Sequence, residues 1–547
     1  MDASVEDAQV DVDGSSGSSG EPDAGSEAGG SGGESSTDGG PDSAVADDPT
    51  GSECTSAGEC AGGVCLNELI VVGVSWELPG GYCSRPCELF EDCQQGIESC
   101  YQQVDDDAVD IGGACVKSCD APEDCREGYT CTNEQCLPVT PVGAANGEWG
   151  RTWSGATAAQ GAAVDSGGNA YFGVATIFGT NLGGGPNTVG GWRFTSFTGA
   201  GAYRWENPDP DGPPVMMTGG VAGYYFTGGQ GEVTVESRDA AGVAVWSRAF
   251  PAGVNGGGAD IAVSADGNIA VAGGANDELD LNGEIYVGSG SDDGAVVLLD
   301  TDGEPVWGAL FGEAFARATR VAFAPNGDVW TTGRAQPFSF GGESLAGAGG
   351  SDVFLTRHAA ADGTPVDGIS FGSAGTDQGS GIAVDGAGNV FVAGNYGDAM
   401  QVGTEVLPAH EPSGIFVASF ADDGSFRWAK AFGGPTGGRS VFAARITPDG
   451  SLRIAGDFSG TLDVEGTMRT SAGSTDIYLV EFDADGTVTG VDAWGAPVVG
   501  QATGEDHLLG FAVDATGANV FSGQHDGPIN FGTGELLVGG AFIARVR

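Results

Sequence analysis

Lysine is nearly missing from this chain: only Lys117 and Lys430 occur in 547 residues. With arginine the basic total reaches 20, against 76 acidic residues, for a formal net charge of −56. Phosphate contacts need clustered basic side chains, so nucleic acid and an anionic membrane face are excluded as partners. Histidine is scarce too. His358, His410, His507 and His525 show no H-x-H or H-E-x-x-H spacing and read as loop or surface residues, not ligands. No apolar run approaches the ~18 residues of a membrane-spanning helix. No nucleophile elbow or P-loop is read from the chain, and no cysteine lies beyond residue 141, which removes the common nucleophile and nucleotide sites.

What is present falls into three compositional regions. Residues 1–52 hold 13 acidic residues, no basic ones and mostly Gly, Ser, Asp and Ala. Such a segment cannot bury enough apolar surface to offset its ordering entropy, and it reads as a disordered linker. Residues 53–141 carry all twelve cysteines, and residues 142–547 carry repeats. The acidic excess runs through all three, as −13, −14 (17 acidic, 3 basic) and −29 (46 acidic, 17 basic). It therefore marks the whole surface and not one tail.

The cysteines form three sets of four: Cys54, Cys60, Cys65, Cys83; then Cys87, Cys93, Cys100, Cys115; then Cys119, Cys125, Cys131, Cys136. Each set opens C-x5-C, and the phrases PCELFEDC and SCDAPEDC repeat. Without C-x-x-C or histidine the segment does not suit zinc. Two disulfides per set is the economical reading, with the connectivity open, and such staples suit a small domain with few large apolar residues. Disulfides imply an oxidising compartment, although residues 1–20 lack the parts of an export signal. The expectation is an exported protein whose signal lay upstream of Met1, with a lipid anchor there as a candidate. The segment resembles cysteine-rich modules of exported bacterial lipoproteins.

The repeats share a phrase whose clearest copy is Gly381–Tyr396, GIAVDGAGNVFVAGNY. Its turn glycine recurs at Gly168, Gly267, Gly327, Gly388, Gly450 and Gly517, the last four intervals being 60, 61, 62 and 67 residues. The 99-residue first interval leaves room for a degenerate unit at Pro214–Trp246, which makes seven. Period-2 apolar runs separated by Gly-Asn or Asp-Gly are antiparallel hairpins, and self-similarity at this period is a propeller. The predicted fold is therefore all-β: a seven-bladed β-propeller over 142–547, preceded by the small disulfide-rich domain and the linker. The last unit ends at Arg547 before its Trp-bearing strand, and an orphan strand of that type stands at 147–153. That strand is expected to complete the C-terminal blade and remove its free edge. Trp205, Trp246, Trp307 and Trp428 occupy matching positions and read as one packed tryptophan per blade.

GIAVDGAGNVFVAGNY, the short phrases Phe338–Phe340, Met400–Val402 and Leu462–Val464, the Gly-Ser-Asp-x-Phe step at 350–354 and FRWAKAFGG together resemble the bacterial SBBP-type β-propeller repeat. The resemblance covers about 400 residues and implies an exported or surface propeller without catalytic residues. The expected work is binding of a protein or polysaccharide at the cell surface, by a monomer, through the variable segments 274–292, 335–350 and 397–413. A structural envelope component is the alternative, and a hydrolase or quinoprotein-like enzyme a more distant one. No cofactor is expected except calcium: Asn207, Asp209 and Asp211 place oxygens at alternate positions before Gly212, although position twelve is Thr218 and not an acid.

Overall fold

The computed structural model describes residues 148–547, apart from 154, 185–186, 210–213, 221–222, 230, 254–255, 291, 498–503, 533–534 and 537–538, together with strand backbone within 64–138. The linker expected at 1–52 lies outside the described residues. Among the described residues there is no helix, and so none long and apolar enough to cross a membrane.

Among the described residues seven four-stranded antiparallel units follow one another along the chain, two of them joined in one eight-stranded sheet, and each starts from its innermost strand. Blade 5 is typical, with strands Gln378–Val384, Val390–Tyr396, Gly414–Phe420 and Phe426–Phe432 paired in that order. Blade 2, Met216–Pro251, is the irregular one: its first strand has four residues, and a single parallel bridge, Glu232–Gly257, joins it to blade 3. The last blade has the order His507–Val513, Asn519–His525, Gly540–Val546, then Trp149–Trp153 from the far end of the propeller sequence. Ser522 Oγ of this blade donates to Gly161 O of blade 1 at 2.9 Å, so the ring closes on itself.

The D-x-x-G-N phrase is a turn device. Asp385 Oδ1 accepts from Ala387 N and Asn389 N (2.9 and 2.8 Å), Oδ2 accepts from Asn389 Nδ2 (2.7 Å), and Gly388 takes φ 87°. Asp165 and Asp514 do the same for blades 1 and 7. In the outer hairpins Asp300 Oδ1 accepts from Asp302 N and Glu304 N, both at 2.9 Å. Much of the acidic excess thus caps turn N–H groups that would otherwise lack partners.

The cores lie between successive blades. Phe391 and Val417 of blade 5 pack with Ile454 and Tyr478 of blade 6, for example. At the rim a second device ties blades together. The indole N–H groups of Trp149, Trp205, Trp246, Trp307 and Trp428 donate, at 2.8–3.3 Å, to carbonyls of Gly199, Ala240, Thr301, Ala360 and Ala484 in the outer turn of the next blade. In each of those turns a glycine at positive φ (Gly201, Gly242, Gly303, Gly363, Gly486) lies so close that a Cβ would fall 2.4–2.8 Å from the indole. The expectation of one packed tryptophan per blade is corrected here. Blades 4 and 6 carry Asp367 and Gly490 instead, and arginine takes over: Arg357 Nη1 reaches Asp422 O (2.6 Å), and Arg453 Nη1 reaches Gly517 O.

Candidate binding grooves at the blade seams

Blades 3 to 7 each carry a small hairpin between their second and third strands, in the segments whose sequences vary most. In blade 5 it is Met400–Val402 with Glu405–Leu407, in blade 6 Thr461–Val464 with Thr467–Thr470. Alternation decides their faces. Met400 and Val402 are buried against Phe371 of blade 4, and Leu462 and Val464 against Phe432 of blade 5. Each hairpin is therefore a wedge between its own blade and the preceding one.

Beside two of these wedges the surface opens into grooves at equivalent places. The first, about 420 Å³, lies between Ala346–Ala348 of blade 4 and Gln401 and Gly403 of blade 5, over Phe371 and Phe426. The second, about 490 Å³, lies between His410 and Glu411 of blade 5 and Asp463 and Glu465 of blade 6. The geometry repeats but the chemistry changes: an apolar floor with one amide in the first, a polar acidic rim in the second. Lys430 Nζ pairs with Glu465 Oε1 at 2.5 Å, and Asp463 Oδ1 accepts from Gly466 N at 2.8 Å. His410 lies edge-on to Tyr396; burial holds its pKa below the usual value, Arg439 pushes the same way and Asp463 opposes. It is neutral at pH 7, able to donate one hydrogen bond and accept another. On the outer strands of the hairpins, Ile285, Val406 and Met468 stand exposed at matching positions.

The histidines correct the reading of loop or surface positions. His358 and His525 are 1% and 3% exposed, and burial pushes each down to about 4, so both are neutral packing residues. His525 bonds Thr152 Oγ1 (2.8 Å) and Gly527 O (2.6 Å), helping to hold the closing strand. The spacing of a nucleophile elbow does occur, at Gly368-Ile-Ser370-Phe-Gly372, but Ser370 sits in a plain strand, Pro365–Phe371, and its Oγ donates to Val353 O.

Asn207 of the calcium candidate lies in the strand Tyr203–Asp209, and its amide donates to Ala241 O and Gly242 O of blade 2. The Asp209 side chain and Asp211 lie outside the described residues. Among the described residues no group of three or more His, Cys, Asp or Glu is arranged to hold a metal. In the cysteine segment the backbone register sets Cys65 opposite Cys83, Cys100 opposite Cys115 and Cys131 opposite Cys136. In each set the third cysteine therefore faces the fourth across a hairpin. Cys54, Cys60, Cys93, Cys119 and Cys125 lie outside the described residues; Cys87 ends the short strand Pro86–Cys87.

Sequence reasoning missed one buried pair. Asp377 and Asp506 open the first strands of blades 5 and 7 at equivalent positions. Asp377 accepts from Ser373 N and Oγ and from Gly397 N (2.5, 2.8 and 3.2 Å). The residue matching Ser373 in blade 7 is Ala496, and among the described residues Asp506 keeps only Ala496 N (2.5 Å), its Oδ1 having no partner there. Burial first, then Asp476 and Asp526, push its carboxyl up to about 7.

Fold and seams define the class: an all-β propeller repeat protein. More particularly, residues 369–395 match the SBBP family, a β-propeller repeat. That match starts in the outermost strand of blade 4 and ends in the second strand of blade 5, so the sequence repeat straddles a seam. The regulatory protein FlaEY of Caulobacter vibrioides is 29% identical over 189 residues, 33% of this chain and 20% of its own length. The chain thus spans about a fifth of that curated relative. Among solved structures, the Pan2 WD40 domain of Neurospora crassa (12% identity, TM-score 0.39, 71% of this chain and 89% of that one) is similar. So are a streptogramin B lyase (12%, 0.39, 73% and 97%) and BamB of Moraxella catarrhalis (13%, 0.35, 85% and 98%).

Proposed function

We propose that this is a non-enzymatic, exported propeller that binds a polysaccharide or protein partner at the outer cell surface through its seam grooves. The observation that carries the reading is the recurrence of one groove geometry with different linings in the most variable segments, as expected where a rigid scaffold presents binding loops. An acidic rim beside exposed aliphatic residues suits sugar hydroxyls or a polar peptide, and suits neither phosphate nor nucleic acid. A calcium ion at Asn207–Asp211 is retained as part of the proposal; a calcium-dependent rise in melting temperature abolished by Asp211→Asn would support it.

The test is crosslinking on intact cells with wild-type protein and with a variant in which Thr461–Thr470 is exchanged for the blade 4 hairpin. One dominant glycan or protein partner, lost on exchange, supports binding. Attachment everywhere without saturation supports the envelope-component reading instead. Recovery only after the envelope is opened would overturn the surface location.

A further inference from the structure

Near the axis of the ring the first strands of blades 3, 4 and 6 bring three charged side chains together. Asp260 lies in Gly257–Val263, Arg320 in Ala316–Phe323 and Arg445 in Arg439–Ile446. Asp260 is buried, and its Oδ2 accepts from Val321 N of blade 4 at 2.9 Å. Arg320 reaches past blade 5 to blade 6: Nη1 donates to Thr319 O (2.7 Å) and Nη2 to Phe442 O, while Nε has no partner. Between them, blade 5 contributes Gly381, where a Cβ would fall 2.8 Å from Ala444 N. Arg445 spends Nη1 on its own neighbour, Ala444 O (2.9 Å), and neither arginine forms an ion pair among the described residues.

This arrangement is out of balance in charge. Two guanidiniums act electrostatically on one carboxylate, in a region where only 17 basic residues accompany 46 acidic ones. Burial pushes both guanidinium pKa values down, Asp260 opposes, and Arg320 adds to the depression of Arg445. Cations held away from water without a matched partner are costly. Arg320 has a structural task, the tie to Phe442. Arg445 has none: among the described residues its side chain joins no other strand and its Nε–Nη2 edge has no protein acceptor, and it remains partly exposed. That edge is the fork that matches two oxygens of one anion.

We propose that the axis of the propeller is an oxyanion site, in which the Nε–Nη2 edge of Arg445 and the Nε of Arg320 hold one small carboxylate or phosphate-type group. Asp260 sets the net charge of the site at plus one and so favours a monoanion over a dianion. The site is separate from the rim grooves and serves an anionic ligand, where the second groove is acidic.

The test is isothermal titration of the full-length protein with sodium acetate and, separately, inorganic phosphate, at ionic strength held constant with sodium chloride. One saturable site is expected for at least one of the two, and the tighter anion identifies the group. Arg445→Gln is expected to weaken it at least tenfold. Arg445→Lys, which keeps the charge and loses the fork, covers the case in which the glutamine variant does not fold, and should also weaken it. Asp260→Asn should tighten binding. The hairpin exchange at Thr461–Thr470 should leave it unchanged, so this proposal and the groove proposal fail separately. Absence of saturable binding of both anions, or equal binding by wild type and the Arg445 variants, would overturn the proposal.

Discussion

Among the described residues, 64–138 and 149–547 both show strands as their only regular elements, yet they finish their sheets differently. The described strands of the first region form sheets of two or three short strands, and the region holds ten of the twelve cysteines of the chain. Isolated two-stranded hairpins are marginal in water, and here each of three hairpins sets two cysteines face to face. The second region has no cysteine and no free sheet edge at its ends, because Trp149–Trp153 pairs with Gly540–Val546. Disulfides between those cysteines, which we propose, would do the same job as the returning strand: each ties residues distant in sequence, one by a bond, the other by a hydrogen-bonded ladder over a buried core.

Breaking the ladder should have the largest effect. Removal of 142–154 takes away fully buried Trp149, the Thr152–His525 bond and a whole outer strand. The melting temperature should fall by at least ~10 °C, with aggregation through the exposed edge, as read by scanning calorimetry and light scattering. An unchanged melting curve would refute closure by this strand. Next come the clasps. Trp307→Ala, at an almost fully buried indole, should cost about 3–5 kcal/mol in denaturant unfolding. Trp428→Ala, half-buried, should cost less; equal losses would show that the clasp and not burial carries the energy.

The seams can be compared by pH. Asp506 keeps a proton in the folded protein up to about pH 7, while its unfolded counterpart loses it near the ordinary value of 3.8. Folding then binds a proton across that window, so the contribution of Asp506 to stability falls as pH rises from 4 to 7, by at most ~4 kcal/mol. The charges of Asp476, Asp526 and His507 act on Asp506 and will shape the curve. Asp506→Asn should stabilise the protein at pH 8 and flatten the profile. Asp377→Asn, at a carboxylate with three donors, should destabilise it. The smallest effect concerns the staples: reduction should leave the melting of the propeller unmoved, while peptide mapping before reduction should return Cys65–Cys83, Cys100–Cys115 and Cys131–Cys136. Third-to-first or third-to-second bridges would break the comparison.

The strands and turns of the propeller were legible because their signals are local. GIAVDGAGN contains its own turn glycine and its own aspartate cap, and alternation places Phe391 and Val417 inward without reference to anything remote. The hairpin phrases showed as variable segments, but not as wedges, since Met400 meets Phe371 only across a seam. The clasps were half visible. The tryptophans stood out, whereas their acceptors lie 35 to 56 residues away in the chain. Arginine replacing tryptophan at two seams had no sequence signal, because Arg357 and Arg453 sit on different strands from the residues they replace. The histidines were misread because burial at a strand end depends on the neighbouring blade.

Chain order, periodicity and turn chemistry thus determined, without any tertiary information, that this protein is an all-strand array of repeating hairpins with a separate cysteine-rich segment. They act over a few residues, within the range where backbone geometry and side-chain alternation are decided. Only the folded ring decided which side chains meet across seams and at the axis: the grooves, the clasps, the orphaned Asp506 and the facing Arg320 and Arg445. Such contacts join residues remote in the chain, Arg320 and Phe442 being 122 positions apart in blades 4 and 6, and closure of the ring, not any local preference, brings them within reach.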